Sequence, residues 1–197
     1  MRHTGYQLTE IKASSLIYEI RDALSQEVCQ RAIDRFESHP EQQHPGRIGQ
    51  EQSLETSIKR STDLRISARD DWLDVDSALF DSLSAGLGLL SGIHPYFAHN
   101  EFRDEGYNLQ RTSPGEHYHW HVDSGPGQFT QRQLVAIWYL NDVSGPGGET
   151  EFLLQDIAVQ PEQGKLILFP PFWTHVHRGR TVEQGVKYIA TTWVCFV

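Results

Sequence analysis

The 197-residue sequence holds only two cysteines, Cys29 and Cys195, and a single methionine. Two thiols are too few for a disulfide framework or a four-ligand structural zinc site, so both are read as partly buried free cysteines. No run approaches the roughly 20 consecutive apolar residues that a bilayer-spanning helix requires. Met1 to Glu10 has no apolar stretch of signal-peptide type, and the chain is read as soluble and cytoplasmic. Positive charge is also scarce: 17 Lys and Arg stand against 26 Asp and Glu, a formal net charge of −9. That balance argues against nucleic acid as a partner, which needs a basic surface. No polybasic segment is present for a membrane surface. The clearest basic patch, Lys59-Arg60 with Arg65 and Arg69, is sparse and reads as a solvated face.

With 38% hydrophobic residues, the chain suits one globular domain over residues 1–197. Ser25 is an N-cap candidate for a helix in which Val28, Ala32, Ile33 and Phe36 recur with helical period up to His39-Pro40. From Asp76 onward, Leu79, Phe80, Leu83, Leu87 and Leu90 form an apolar stripe closed by Gly92 and Pro95. Between these helices, Gln42 to Glu55 reads as a polar surface loop and Ser57 to Ser67 as an edge strand. The second half changes character. Tyr107–Thr112, His117–Asp123, Leu134–Leu140, Glu149–Leu153, Lys165–Phe169 and Tyr188–Val197 read as strands, separated by Gly- and Pro-rich turns such as Ser144-Gly-Pro-Gly-Gly148. Short strands at this spacing imply a mainly β fold, a sandwich or jelly roll. Residues 1–105 are then a helical support region that braces one sheet, and 106–197 the β core. Trp120, Trp138, Trp173 and Trp193 are expected in the core or on a pocket wall.

The most informative excess is histidine: ten in all, five of them in two short windows. In the first, Glu116-His-Tyr-His-Trp-His-Val-Asp123, regular strand alternation would point His117, His119, His121 and Asp123 to one face. Residues at i and i+2 lie about 6.7 Å apart along a strand, close enough for two inward side chains to share one metal ion. Residues at i and i+4 do not, so Asp123 selects His121. The second window, Trp173-Thr-His-Val-His177, offers His175 and His177, between which spacing does not choose. Two histidines and a carboxylate from separate strands make the facial triad of non-haem iron(II). The bland alternative is a set of strand histidines satisfied by hydrogen bonds.

Five blocks in order then carry a resemblance: Pro114-Gly-Glu-His-Tyr118 through His121-Val-Asp123, Trp138-Tyr-Leu-Asn-Asp142, Gly147-Gly-Glu-Thr-Glu-Phe152, His177, and Lys187-Tyr-Ile-Ala-Thr-Thr-Trp193. Over about Tyr107 to Val197 the chain resembles the catalytic domain of prolyl 4-hydroxylase-type 2-oxoglutarate/Fe(II) dioxygenases. The resemblance implies a double-stranded β-helix with Fe(II) held by His121, Asp123 and His177. It selects His177 because a basic residue, Lys187, follows ten positions later, whereas the same count from His175 reaches Gly185. His175 would share the strand face of His177. Lys187, which alone would read as a snorkelling surface lysine, is implied to pair with the distal carboxylate of 2-oxoglutarate, with Tyr139 and Thr191 as further contacts. Tyr118 matches a family tyrosine near the metal. Arg111 is left between a substrate contact and a surface ion pair.

The implied reaction couples O2 and 2-oxoglutarate to hydroxylation and releases succinate and CO2, with ascorbate as the candidate reductant. Asp123 favours hydroxylation, because relatives that halogenate lack this carboxylate. The implied substrate is a prolyl residue of a protein or peptide, a free amino acid or another small molecule, reached past Phe97–Gly106 and Gly125–Arg132. Two rivals belong to other classes: an oxygen-independent cupin-like metalloenzyme, and a non-catalytic jelly-roll binding protein.

Overall fold

The computed structural model describes residues 5–49 and 51–197. Met1–Thr4 and Gln50, which belong to the N-terminal and Gln42–Glu55 stretches discussed above, lie outside the described residues. In chain order the strands are β1 Leu8–Glu10, β2 Tyr18–Ile20, β3 His44–Pro45, β4 Lys59–Arg60, β5 Thr62–Arg65, β6 Phe102–Asp104 and β7 Asn108–Thr112. They continue with β8 His117–His121, β9 Arg132–Tyr139, β10 Thr150–Phe152, β11 Ile157–Val159, β12 Leu166–Phe169, β13 His177–Gly179 and β14 Lys187–Phe196. Two long helices are α1 Gln26–Ser38 and α2 Leu73–Ile93.

The strands form two antiparallel sheets. The larger runs β1-β2-β12-β9-β14-β7-β5-β3, with β6 also on β14, and the smaller runs β11-β10-β13-β8-β4. Alternation along β9 explains how they stack. Leu134, Ala136 and Trp138 pack with Phe36, Leu79 and Leu83 of the helices. Val135, Ile137 and Tyr139 pack instead with Phe152 and Val159 of the smaller sheet. Both faces of β9 are therefore buried, one against helices and one against a second sheet. The fold is a double-stranded β-helix with its helices bracing the larger sheet.

Helix α1 begins where Ser25 caps it, its Oγ accepting from the Val28 N–H at 3.3 Å. Helix α2 starts at Leu73, three residues before the expected Asp76, and passes through Gly92 to Ile93. Its stripe is Val75, Leu79, Leu83 and Leu90, and Phe80 is exposed. Successive helical residues diverge by about 100°, so Leu79 and Phe80 cannot both face the core. Trp138 Nε1 donates to Ser82 Oγ at 2.9 Å and ties α2 to the sheet.

Several expectations are corrected. Ser57–Ser67 is not one edge strand: β4 lies in the smaller sheet and β5 in the larger, and the chain changes sheet at Ser61. Between Gln42 and Glu55 the chain also adds β3 to the edge of the larger sheet. Lys59 does not belong to a solvated face; it is buried with its Nζ 2.7 Å from Asp63 Oδ2. Trp173 is 75% exposed, and Trp120 stacks on Arg178 at the partly open face of β8. Arg111 is held by Glu37, with Nη1 2.8 and 2.9 Å from the two carboxylate oxygens. Both cysteines are buried and free.

Gly147, in the turn before β10, has φ +87°, and a Cβ there would lie 2.0 Å from Thr181 O. Gly147→Ala is expected to cost at least about 2 kcal/mol and lower Tm by about 4–8 °C. Gly88→Ala in α2, with nothing within 4 Å of the added Cβ, should leave thermal unfolding unchanged or raise Tm slightly.

Candidate metal centre

Strands β8 and β13 are neighbours in the smaller sheet, and His121 faces His177 directly across the pair. Their ring centroids lie 4.2 Å apart. Asp123, just beyond β8, is anchored by its own N–H, which donates to Pro171 O at 3.0 Å. Its Oδ2 lies 3.2 Å from His177 Nε2. Ligand-capable atoms of His121, Asp123 and His177 all fall within 4.8 Å of one another, a set able to hold a metal ion. Two imidazoles and one carboxylate suit a first-row divalent metal and leave coordination positions free.

Both imidazoles are oriented in the same way. His121 Nδ1 lies 2.7 Å from His119 O, and His177 Nδ1 lies 3.0 Å from His175 O. A carbonyl only accepts, so each Nδ1 carries a proton and Nε2 is the ring atom left to face a ligand; in His177 it donates to Asp123 when protonated and offers its lone pair when a metal takes the proton's place. Burial, and then the neighbouring His177, push His121 down to about 3, so its imidazole is neutral at physiological pH. Burial alone would raise Asp123. The hydrogen bond and charge of His177, with His121 and Arg132, outweigh it and hold that carboxyl well below the usual range.

The expected single face of His117, His119, His121 and Asp123 is not what forms. His121 pairs with His177 and Tyr118 with Gly179, so three residue steps in β8 match two in β13. This one-residue bulge reverses the alternation. Tyr118 therefore joins His121, their rings stacked at 3.6 Å, while His117 and His119 pack on each other at 5.2 Å. His175 does not share a strand face with His177 either. It is buried in the 3-10 turn Trp173–His175, with Nε2 2.9 Å from Ser15 O. His119 and His175 serve the centre through their carbonyls.

The three ligand candidates open onto a cavity of about 600 Å³ between the sheets. Lys187, Ile189, Thr191 and Trp193 line it from one face of β14. Lys187 is buried, and among the described residues its ammonium has no hydrogen bond or ion-pair partner. Burial, opposed in part by the Glu149 charge, pushes it down to about 8. Tyr139 is placed differently from Lys187 and Thr191. Its ring lies under Lys187, centroid 5.4 Å from Nζ, but its hydroxyl donates to Thr150 Oγ1 at 2.7 Å. Thr150, rather than Tyr139, faces the cavity.

Two buried charge pairs in the wall had no signal in the sequence. Arg132 is bidentate on Glu105, Nη2–Oε2 2.6 Å and Nε–Oε1 3.1 Å. Its Nη1 also donates to Asp123 O at 2.8 Å, and its guanidinium lies between the rings of Phe129 and Trp193. Arg132 thereby fixes the main chain of Asp123. The second pair, Lys59–Asp63, sits beside the Tyr118 ring, 5.2 Å from Nζ to its centroid. An arginine at the start of an apolar strand, or a lysine four residues before an aspartate, reads as surface until tertiary contacts bury it.

A model described as the 2OG-Fe(II) oxygenase superfamily matches residues 107–195. Those 89 residues, a little under half of the 197, are similar to that superfamily. A PKHD-type hydroxylase of Synechococcus sp. (strain CC9902) is 30% identical over 89 residues, covering 44% of this chain and 39% of that protein. The viral collagen prolyl hydroxylase of Paramecium Bursaria Chlorella virus-1, solved as a 2OG complex, has a TM-score of 0.72 at 19% identity, covering 95% of this chain and 99% of that one. A prolyl hydroxylase of Trichoplax adhaerens, in complex with a hypoxia inducible factor oxygen degradation domain peptide fragment, has a TM-score of 0.77 at 15% identity, covering 93% and 84%. At such identities the structural likeness establishes the fold. The chain spans well under half the length of the curated relatives it matches.

Asp123→Ala and His177→Ala should each weaken anaerobic Fe(II) or Co(II) binding by about a hundredfold or more while leaving the circular dichroism spectrum intact. Wild-type affinity in both variants, read by calorimetry, would put the metal elsewhere.

Proposed function

We propose that this chain is a 2-oxoglutarate- and Fe(II)-dependent dioxygenase that hydroxylates a substrate bound over His121, Asp123 and His177. The observation that carries the reading is the pairing, in one cavity, of a two-histidine-one-carboxylate set with a buried lysine that has no partner of its own. An isolated buried ammonium is costly, and a dicarboxylate reaching it would remove that cost. A purely structural jelly roll supplies no reason for Lys187 to be buried. An oxygen-independent metalloenzyme explains the triad but leaves the ammonium without a role.

In this reading Fe(II), 2-oxoglutarate and O2 supply the oxidising chemistry, which hydroxylates the substrate and yields succinate and CO2. The protein's part is positional. His121, Asp123 and His177 hold the metal on one side. Lys187, with Thr191 beside it on β14, binds the far carboxylate of 2-oxoglutarate, and Tyr139 supports Lys187 from beneath. Ile137 and Ile189 keep water from that end of the cavity. Arg132 keeps Asp123 in place. The substrate is a residue of a protein or peptide, or a small molecule, entering between the Arg103–Glu105 segment and the Gln128–Phe129 turn, both on the cavity wall. Residues 1–197 act as one catalytic unit, with ascorbate as reductant.

Among the described residues no helix is long and apolar enough to cross a membrane. A cytoplasmic location is part of the proposal and agrees with two buried, unpaired cysteines.

Anaerobic mixing of the apoprotein with Fe(II) and 2-oxoglutarate should produce the weak visible charge-transfer band of the chelated cosubstrate, absent in Asp123→Ala and His177→Ala. Well-folded wild-type protein without this band would sink the dioxygenase reading.

Lys187 adds a pH dependence. Below about pH 8 it is a cation able to bind the carboxylate; above that it is neutral. Affinity for 2-oxoglutarate, titrated through the band, should therefore fall about tenfold per pH unit above 8. Lys187→Met should bind weakly at every pH and show no such slope.

A further inference from the structure

Charge around the cavity is unevenly satisfied. Arg21, Arg31, Arg35, Arg69, Arg111, Arg132, Arg178 and Arg180 each have a carboxylate within ion-pair distance. Among the described residues the arginines without one are Arg47, Arg60, Arg65 and Arg103. Three of these four, Arg47, Arg65 and Arg103, line the cavity over the candidate metal centre. Arg60 lines the adjoining cleft, which shares Lys59 and His44 with that cavity. In a chain of net charge −9, carboxylates are not in short supply. The Glu105 carboxyl lies near enough to Arg103 to feel its charge, but it is paired with Arg132, so the lack of a carboxylate within ion-pair distance is a local property of the cavity mouth.

Within the wall, Lys59 is neutralised by Asp63 and Arg132 by Glu105. A divalent metal, the Asp123 carboxylate, a dicarboxylate cosubstrate and Lys187 together sum to zero. That leaves Arg47, Arg65 and Arg103 as uncompensated positive charge in the loaded site. Arg65 Nη2 donates to Glu105 O at 2.7 Å and Arg47 Nη1 to Gln52 O at 2.9 Å. These bonds orient two of the three guanidinium groups without neutralising them. The three come from separate elements: β5, β6 and the Gly46–Ser53 loop.

We propose that the substrate is acidic, carrying at least one carboxylate away from the carbon that reacts, and that Arg65 and Arg103, with Arg47 at the mouth, bind it. This inference rests on the dioxygenase reading above and names the substrate class of the same site. A carboxylate pairs with a guanidinium in a bidentate, charge-assisted geometry, so these residues select an acid over its amide. They also concentrate anionic substrate near an otherwise acidic protein, which repels it elsewhere. The carboxylate has two sources, a free acidic amino acid or an Asp or Glu residue of a peptide.

The test uses the full chain loaded anaerobically with Fe(II) and 2-oxoglutarate. One arm adds L-aspartate or L-glutamate against L-asparagine or L-glutamine. The other adds random hexapeptide pools that contain Asp and Glu against pools with Asn and Gln in their place. Perturbation of the charge-transfer band and, after O2 is admitted, stimulated succinate release are read in both arms. A response confined to the acidic member of one arm is expected, and the arm that responds identifies the source. The Arg65→Gln/Arg103→Gln double variant, altered only at exposed side chains, should keep the band and the wild-type Tm. Its half-saturating concentration of acidic substrate should rise about tenfold or more, and 0.5 M NaCl should weaken the wild-type response in the same direction. Equal responses to acid and amide, an acid response unchanged in the double variant, or no response in either arm while the band forms would each overturn the proposal. Failure of the band itself would instead overturn the dioxygenase reading beneath it.

Discussion

β9 is buried on both faces, and most of the architecture follows from that. An eight-residue strand with Leu134, Ala136 and Trp138 on one side and Val135, Ile137 and Tyr139 on the other cannot sit at a surface. It requires a helical layer over one face and a second sheet over the other. β14 lies beside it along nearly its whole length, and the second sheet brings β8 and β13 opposite. The cavity is lined by residues of both sheets. Its floor is largely apolar because β9 and β14 turn Val135, Ile137, Ile189 and Trp193 inward, with Thr191 between them and Lys187 at one end.

Within that frame a single inserted residue decides which side chains reach the candidate metal centre. The bulge in β8 turns Tyr118 inward beside His121 and turns His117 and His119 out. A regular strand would have crowded the ligand pair with a third imidazole and removed the aromatic wall. The bulge also leaves the His119 carbonyl available to orient His121. The same arrangement recurs at His175 and His177. His119, read from the sequence as no more than a neighbour, and His175, the alternative ligand of its window, thus both act through main-chain oxygen atoms.

Charges around the cavity fall into two kinds. Lys59–Asp63 and Arg132–Glu105 are complete within the protein and stiffen the walls, Arg132 reaching the main chain of Asp123 as well. Lys187, Arg65 and Arg103 lack a carboxylate. Removing one member of a complete buried pair strands its partner and destabilises the fold. Changing an unpaired cation alters what the cavity binds, and so the two kinds separate stability from recognition.

Much was legible in the sequence because it depends on local chemistry. Ser25 as a cap, the alternating apolar strands, the glycine turns and the ordered blocks from Pro114 to Trp193 all act over a few residues or match a known pattern. The bounds of α2, the exposure of Phe80 and Trp173, and the split of Ser57–Ser67 between two sheets were not legible, since packing partners distant in sequence decide them. The sequence by itself determined the residue types at the centre: two imidazoles and a carboxylate at strand spacing, with a lysine on a later apolar strand. Only the tertiary structure decided which neighbours share that space. A one-residue bulge changes side-chain parity without changing composition, and burial of an arginine or lysine depends on a carboxylate supplied by another part of the chain.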